Sequence, residues 1–429
     1  MHGKAVEVRS LRVGIVDASY PTGGGMGLGA SWLRWEIETR HTSSLEIIAD
    51  GQADVLLASV QSQQVLPQLK TALKRSPVRA PVIAIGGPGA YAPVVFGDVA
   101  DMACVGEGRQ WVGALASGGI EAAQALECTW RPGRTDVVPA TEFPWDSPPA
   151  KMQDGTCRVW WSRGCRRKCL FCQTGWESTY RKRSDTETAE AHGRTLAQRG
   201  ERVVYVTNDH SDLTPTAVRY DTHGSVTFDG LRAMLSQGGL SHLRNVRVGV
   251  EGISERLRMF VRKPIEAQAL VDVTADALHA GVNMVWFLIV GLPTETERDY
   301  DELRETIMAI KRRCRRGLVR LAFHGFLPHP AAPLSCLPLC DDYWERFDEF
   351  RRWFFNGPGA TARVQIVPPA KYATRLKQAM ANMACGEAQL RAGYADGWNR
   401  NVRAIAYPTR AAYLAQVARL SEEAEQHAA

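Results

Sequence analysis

The chain has 429 residues, of which 45% are hydrophobic and 23% charged, and a formal net charge of +6. That length allows two or three domains with a sizeable core, and the balance excludes a disordered or fibrous chain. No apolar run approaches the roughly 20 residues that cross a bilayer. The opening "MHGKAVEVRSLRVGIVDASY" has no secretory apolar segment, so a cytoplasmic protein without a membrane partner is expected. Its ten cysteines then point to metal ligation or catalysis before disulfides. The modest positive charge permits an anionic substrate or an acidic partner without demanding one.

Residues 11–115 read as alternating strand and helix. Short apolar runs fall at 12–16, 54–60 and 81–87, separated by "ASWLRWEIETR" and "SQQVLPQLKTALKR", which have helical apolar spacing. Buried parallel strands alternating with helices predict a small doubly wound, Rossmann/flavodoxin-like α/β domain over 1–130. The element between Arg40 and Ala53 looks lost. A Pro-rich connection, "RPGRTDVVPATEFPWDSPPAKMQD", interrupts regular structure and predicts a linker over 131–156.

From Cys157 the alternation resumes with β-rich runs at 158–161, 203–206, 246–250, 285–290 and 319–323. A sixth strand falls either within 213–228 or at 363–367. One intervening helix places Tyr300, Leu303, Ile307, Ile310 and Cys314 on one face, with Thr294 and Glu297 as a capping box. Another aligns Leu270, Val273 and Ala277 before Gly281 stops it. Serial βα units predict a full or partial barrel over 157–335, with its site at the strand C-terminal rim. A mostly helical extension is expected over 336–429. No internal repeat or low-complexity segment is present.

The segment "WWSRGCRRKCLFCQTGW" carries Cys165, Cys169 and Cys172 directly after an apolar strand. Thiolates suit zinc or iron–sulfur clusters. A structural zinc site needs four protein ligands, which Cys157 or His192 would have to complete as a zinc knuckle. Three thiolates on a four-iron cube instead leave one iron open, and a rim position suits a reactive site.

This Cys-x-x-x-Cys-x-x-Cys run, with Phe171 before its last cysteine, resembles the radical S-adenosylmethionine (SAM) signature. The resemblance implies a partial (β/α)6 TIM-like barrel. It also implies a 4Fe–4S cluster on Cys165, Cys169 and Cys172, and SAM chelating the open iron. Reductive cleavage would release a 5′-deoxyadenosyl radical that abstracts hydrogen from an unactivated carbon. Further matches run to about residue 335. Thr207, Asn208 and Asp209 stand where the family holds the SAM amino group. "GVEGISERLR" resembles "PEAGSERLR", making Glu251 a SAM-contacting carboxylate, although Gly252 and Ile253 depart from the pattern. "FLIVGLPTET" resembles "FIIGLPGET", placing Gly291, Leu292 and Pro293 beside the adenosyl part. "FLPHPAAPL" is similar to "PYPGTPL" with two alanine replacements. Each has a structural reading as well: Glu251 as a helix cap, Asn208 and Asp209 as a turn, Gly291 to Pro293 as a strand stop.

The first domain resembles the cobalamin-binding module that precedes many such barrels, through "IAIGGPGAYAPVVFGDVADMACVGEGRQWV". The cobalt-ligating Asp-x-His-x-x-Gly is missing from "DASYPTGGGMGLGA", and His41 is the nearest histidine. Either the module is a vestige, which its shortness favours, or cobalamin binds without that ligand. The glycines there can cradle a phosphate or simply satisfy the backbone.

Arg163, Arg166, Arg167, Lys168 and then Arg181, Lys182 and Arg183 surround the cysteine run. They suit solvation, docking of an electron donor such as flavodoxin or ferredoxin, or a nucleic-acid substrate with Trp160, Trp161, Trp176 and Tyr180 stacking on bases. Lys311 to Arg316 end a helix, where cations meet its dipole. Cys314, Cys336, Cys340 and Cys385 are read as buried thiols, with an auxiliary cluster as the rarer reading. The leading expectation is a radical SAM enzyme with a small-molecule or nucleic-acid substrate. Its rivals are a cobalamin-dependent methyltransferase, a nucleic-acid base-modifying enzyme and a zinc-knuckle nucleic-acid-binding module. Methylthiolation fits less well, because only Cys104 and Cys128 lie ahead of the connection.

Overall fold

The structure is a computed structural model. It describes residues 10–367 apart from 21–25, 63–64, 135, 178–179, 210–211, 214–216, 218–224, 238–243, 327–328, 330–331, 333, 335–342, 358 and 360–363. These residues fall into two compact units that divide between Trp160 and Trp161. The predicted C-terminal extension, with Cys336, Cys340 and Cys385, lies largely outside the described residues.

In the first unit, β1 (Leu11–Asp17), β2 (Leu45–Ile47), β3 (Val55–Ser59), β4 (Val82–Gly86), β5 (Met102–Cys104) and β6 (Thr129–Trp130) form one sheet in the order β2-β1-β3-β4-β5-β6. The first five strands are parallel and β6 is antiparallel to β5. This is the flavodoxin-like order. Every residue of central β3 is buried, as a strand covered on both faces requires. Helices α1 (Leu28–Arg40), α2 (Leu66–Arg75) and α3 (Arg109–Ala125) connect the strands.

The missing element is a crossover helix between β2 and β3. There the chain turns straight back, with Ile48 donating to the Val13 carbonyl at 3.0 Å and Asp54 to that of Arg12 at 2.8 Å. Buried Glu36 on α1 takes Arg109 of α3 at 2.9 Å, and Arg109 reaches Asp146 of the Pro-rich connection at 2.5 Å. That connection closes into a hairpin of β7 (Ala150–Lys151) with β8 (Thr156–Trp160), paired antiparallel.

The second unit has a parallel sheet in the order β12 (Ser225–Val226), β13 (Asn245–Gly252), β14 (Asn283–Val290), β15 (Val319–Gly325) and β16 (Val364–Val367). Both candidates for the sixth strand are therefore strands, and the sheet continues beyond residue 335. Ahead of it in sequence come a ribbon of β9 (Ser162–Arg163) with β10 (Arg181–Lys182), helix α4 (Thr186–Gln198), and β11 (Arg202–Val206). Strict alternation along β14 buries Met284, Trp286, Leu288 and Val290 under the helices and leaves Val285, Phe287 and Ile289 half-buried on the other face.

The covering helices are α5 (Phe228–Ser236), α6 (Glu255–Phe260), α7 (Ala267–His279), α8 (Glu297–Arg313) and α9 (Tyr343–Asn356). Leu270, Val273 and Ala277 of α7 are buried, as are Tyr300, Leu303, Ile307 and Ile310 of α8. Phe347, Phe350 and Phe354 of α9 join the same core.

The capping box differs from expectation. It is formed by Thr296 and Asp299 rather than Thr294 and Glu297. Thr294 adopts a left-handed backbone (φ 67°) and its hydroxyl is engaged by Arg256 at 3.0 Å, so it is unavailable as a cap.

Candidate cluster and SAM site

The three cysteines lie on one loop between β9 and a short helical turn, Thr174–Glu177. Apolar Leu170 anchors it: the side chain is fully buried, its N–H donates to Val261 at 3.1 Å, and its carbonyl accepts from Leu334 at 3.0 Å. Trp176 closes the loop from the far side, its indole N–H donating to the Cys169 carbonyl at 2.9 Å. Lys168 donates to the Gly175 carbonyl, and a Cβ on Gly175 would stand almost on the Arg167 carbonyl. Cys169 is buried, while Cys165 and Cys172 are partly exposed. The loop thus presents three thiols from a rigid base, with Phe171 packed beside them against the core.

Burial pushes the Cys169 thiol up to about 11; Cys172, Glu251 and Cys165 add to the rise and Lys263 opposes it. Burial likewise raises Cys165, with Cys172 and Asp209 contributing. These influences couple the three thiols to one another, Asp209 to Cys165 and Glu251 to Cys169. Loading a metal centre therefore displaces protons, as thiolate ligation generally does.

Among the described residues, no three His, Cys, Asp or Glu side chains gather tightly enough to hold a single metal ion. Zinc would draw its thiolates to about 2.3 Å from one point. A cube spreads its ligands over separate iron corners, so three thiols suffice to hold one. His192 lies on α4 and Cys157 on β8.

Asn208 and Asp209 follow β11. Trp161 donates to the Val206 carbonyl at 3.1 Å, and Ser162 to the Thr207 hydroxyl at 2.9 Å, which brings this strand end to the cysteine loop. The Asn208 amide donates to the Gly164 carbonyl at the start of that loop. The Asp209 carboxylate accepts from the Thr227 hydroxyl at 2.7 Å and its N–H at 3.2 Å.

Glu251 sits at a register shift between β13 and β14 with φ of 70°, a left-handed conformation that is strained for a residue with a side chain. Its carboxylate pairs with Lys263 at 3.1 Å. The segment after it is tied to α8. Ser254 caps α6 and donates to Asp299, Arg256 reaches Asp299 at 2.6 Å, and Arg258 reaches Glu302 at 3.4 Å. Arg258 is fully buried, and burial lowers it to about 10 despite Glu302 and Glu255. It also donates to the carbonyls of Ile265 at 2.6 Å and Gly252 at 3.4 Å.

Gly291 (φ 80°), buried Leu292 and Pro293 turn the chain from β14 towards α8. The Gly291 N–H donates to buried Glu295 at 2.8 Å, and the Tyr300 hydroxyl donates to the same carboxyl at 3.0 Å. Burial raises Glu295 to about 7 against both hydrogen bonds.

Sequence reading missed Lys263, Arg258, Glu295 and Ser162. Ser162, Arg258 and Glu295 stand within the motifs quoted above and Lys263 shortly after one, but no pattern singles them out. His329, within "FLPHPAAPL", was missed too; burial lowers its pKa, and its Nδ1 has no hydrogen-bond partner.

The basic residues near the cysteines are largely engaged. Arg166 stacks over Tyr180 at 4.4 Å and pairs with Asp212 at 3.4 Å, Arg167 pairs with Asp229 at 2.5 Å, and Arg183 with Asp185 at 2.5 Å. Trp161 is fully buried against Tyr205. Arg313 of the second basic group pairs with Asp272. Cys314 is buried in the core, and His41 closes α1 with Glu36 4.0 Å away. No helix among the described residues is long and apolar enough to cross a membrane.

The radical SAM superfamily profile matches residues 161–307. An uncharacterized protein of Methanocaldococcus jannaschii is 27% identical over 186 residues, which are 39% of this chain and 40% of that relative. The chain thus matches less than half the length of that relative. The radical S-adenosylmethionine methyltransferase TsrM of Kitasatospora setae, solved with cobalamin and a [4Fe-4S] cluster, covers 98% of this chain and all of its own, with a TM-score of 0.55 and 12% identity. OxsB, a cobalamin-dependent S-adenosylmethionine radical enzyme solved with aqua-cobalamin and S-adenosylmethionine, covers 96% of this chain and 66% of its own, with a TM-score of 0.55 and 13% identity. At such identities the likeness is one of fold. Over residues 161–307, then, the chain is similar to the radical SAM superfamily.

Proposed function

We propose that this chain is a radical SAM enzyme in which Cys165, Cys169 and Cys172 hold a 4Fe–4S cluster. The supporting observation is the loop itself: three thiols on one turn, with Asp209 acting on Cys165 and with Glu251 and Lys263 acting on Cys169. When bound, that cluster supplies an electron to the sulfonium of SAM, giving the 5′-deoxyadenosyl radical that takes hydrogen from an unactivated carbon.

The protein's part is holding and shielding. Asn208 fixes the start of the cysteine loop, and Asp209 and Glu251 offer carboxylates to the SAM amino group. Gly291, Leu292 and Pro293 give a side-chain-poor backbone for the adenosyl part. Leu170, Phe171 and Trp176 keep water from the inner side of the loop. In this reading β11 and the five-stranded sheet belong to one partial (β/α)6 barrel, following a cobalamin-binding-like first domain. A flavodoxin or ferredoxin serves as donor. Because Arg166, Arg167 and Arg183 by the loop are paired with local carboxylates, a small molecule suits the site better than nucleic acid.

A second reading, cobalamin-dependent methyl transfer, is favoured by the flavodoxin-like strand order of the first unit ahead of a radical SAM domain. A Cβ on Gly86, at the end of β4, would meet nothing within 4 Å. The 17–30 stretch holds no histidine for cobalt, and Asp17 is committed to the N–H groups of Ser19 and Gly27. Stoichiometric corrinoid in the purified protein would decide for this reading.

The test of the main reading is anaerobic reconstitution, dithionite reduction and incubation with SAM. Wild-type protein is expected to yield 5′-deoxyadenosine and Cys169→Ala none. Equal yield from the variant overturns the assignment.

A further inference from the structure

We propose that Lys263 controls the electrostatics of the cluster: its ammonium, held beside Cys169 and Glu251, raises the reduction potential of the iron–sulfur centre. This rests on the cysteine loop carrying that centre.

The loop docks on the stretch that delivers Lys263. Leu170 donates to the Val261 carbonyl at 3.1 Å, and the Cys169 thiol faces the Arg262 carbonyl at 3.8 Å. Arg262 is left-handed (φ 56°), which turns the chain sharply at that point, and the Lys263 N–H returns to the Arg258 carbonyl at 2.8 Å. The lysine is therefore fixed at its root by Arg258 and at its tip by Glu251, 3.1 Å away. Its side chain is only 12% exposed. Gly249 keeps room for the pair, because a Cβ there would stand 2.5 Å from Nζ and against the Glu251 carboxylate.

Lys263 follows directly on Arg262, whose carbonyl the Cys169 thiol faces, so a largely buried ammonium is held on this side of the loop. The loop's own cations have partners of their own: Arg166 pairs with Asp212, Arg167 with Asp229, and Lys168 donates to the Gly175 carbonyl. Reduction adds one negative charge to the centre, and a nearby cation in a partly buried site stabilises the added charge more than it would in water. Cluster potentials follow net charge and solvent exposure in this sense. Glu251 acts with the opposite sign, so the two side chains form an opposed pair.

The experiment poises iron-loaded protein, without SAM, at a series of potentials and counts the reduced cluster by electron paramagnetic resonance. At the wild-type midpoint, Lys263→Met should lower the reduced-to-oxidised ratio about tenfold, equivalent to about 59 mV for a one-electron couple. Lys263→Arg should stay close to wild type, and Glu251→Gln should raise the ratio. A loosened loop would instead shed iron or move both neutral variants the same way. The proposal is overturned if Lys263→Met matches wild type, or if it and Glu251→Gln shift in one direction. Should Lys263→Met hold no iron, Glu251→Gln decides alone, and an unchanged or lowered ratio overturns the idea. Wild-type protein that takes up no iron overturns the reading of the loop itself, and the role of Lys263 falls with it.

Discussion

Two carboxylates end two parallel strands, and they are used differently. Asp17, at the end of β1, is 5% exposed and accepts from the N–H groups of Ser19 at 2.8 Å and Gly27 at 2.6 Å. It is consumed in holding its own turn. Glu251, near the end of β13, stands in a strained left-handed backbone and meets a lysine beside Cys169. Strain of that kind persists only where the surroundings enforce it, and here Arg258, Ser254 and Arg256 enforce it through α8. The first unit spends its polar groups on folding, whereas the second spends folding energy on presenting polar groups.

The sharpest way to break this contrast is to remove the enforcement. Arg258→Ala leaves the Ile265 carbonyl and Glu302 without their buried partner, and about 3–5 kcal/mol of stability should be lost. Urea unfolding reads the loss. Lysine should not rescue it, because the fork of donors is what the site uses.

Glu295 supports the Gly291 turn from within the core and makes stability depend on pH. Its folded value of about 7 lies above the ordinary 4.5 of a glutamate. The folded state therefore holds an extra proton between those values, and stability is full below the lower one. It falls as pH rises through about 7, by on the order of 3 kcal/mol. Thermal unfolding between pH 4.5 and 8 should show that fall in wild type and a flatter profile in Glu295→Gln.

The two carboxylates themselves sharpen the comparison. Asp17→Ala should cost about 1–3 kcal/mol by stranding two N–H groups, with iron content and SAM affinity unchanged. Glu251→Gly should do the reverse: relief of the left-handed strain, worth about 1–2 kcal/mol, offsets the lost ion pair while SAM affinity falls. Isothermal titration of iron-loaded protein with SAM separates them. The smallest expected effect is Thr296→Ala, which removes a cap worth about 1 kcal/mol; a Thr294→Ala variant should leave α8 unaffected as a cap.

Legibility followed the same division. Apolar runs such as the one in β3 announce a strand covered on both faces, so the doubly wound sheet could be read directly, apart from the three-residue strand Leu45–Ile47 in the stretch expected to lack an element. The sixth strand of the second unit was ambiguous because Ser225–Val226 is two residues long and Val364–Val367 four. Each is too short for its pattern to stand out, and both proved to be in the sheet. The cap was misplaced by two positions because "PTETERD" offers two threonines, each with a carboxylate three residues on. Only the backbone at Thr294 decides between them.

At the site, the cysteines and Glu251 were singled out through their resemblance to a known signature. Lys263 and Arg258 were not: in a chain with 52 lysines and arginines, sequence does not say which few are buried. The cations beside the cysteines were conspicuous in sequence, yet Arg166 and Arg167 are paired with Asp212 and Asp229, which the fold brings near, and Arg183 with neighbouring Asp185.

The central claim is that three thiols leave one iron free to take SAM. Adding SAM to the reduced, iron-loaded protein and recording its electron paramagnetic resonance spectrum tests this directly. The account predicts a changed spectrum in wild type and no cluster signal in Cys169→Ala. A wild-type spectrum indifferent to SAM would contradict it.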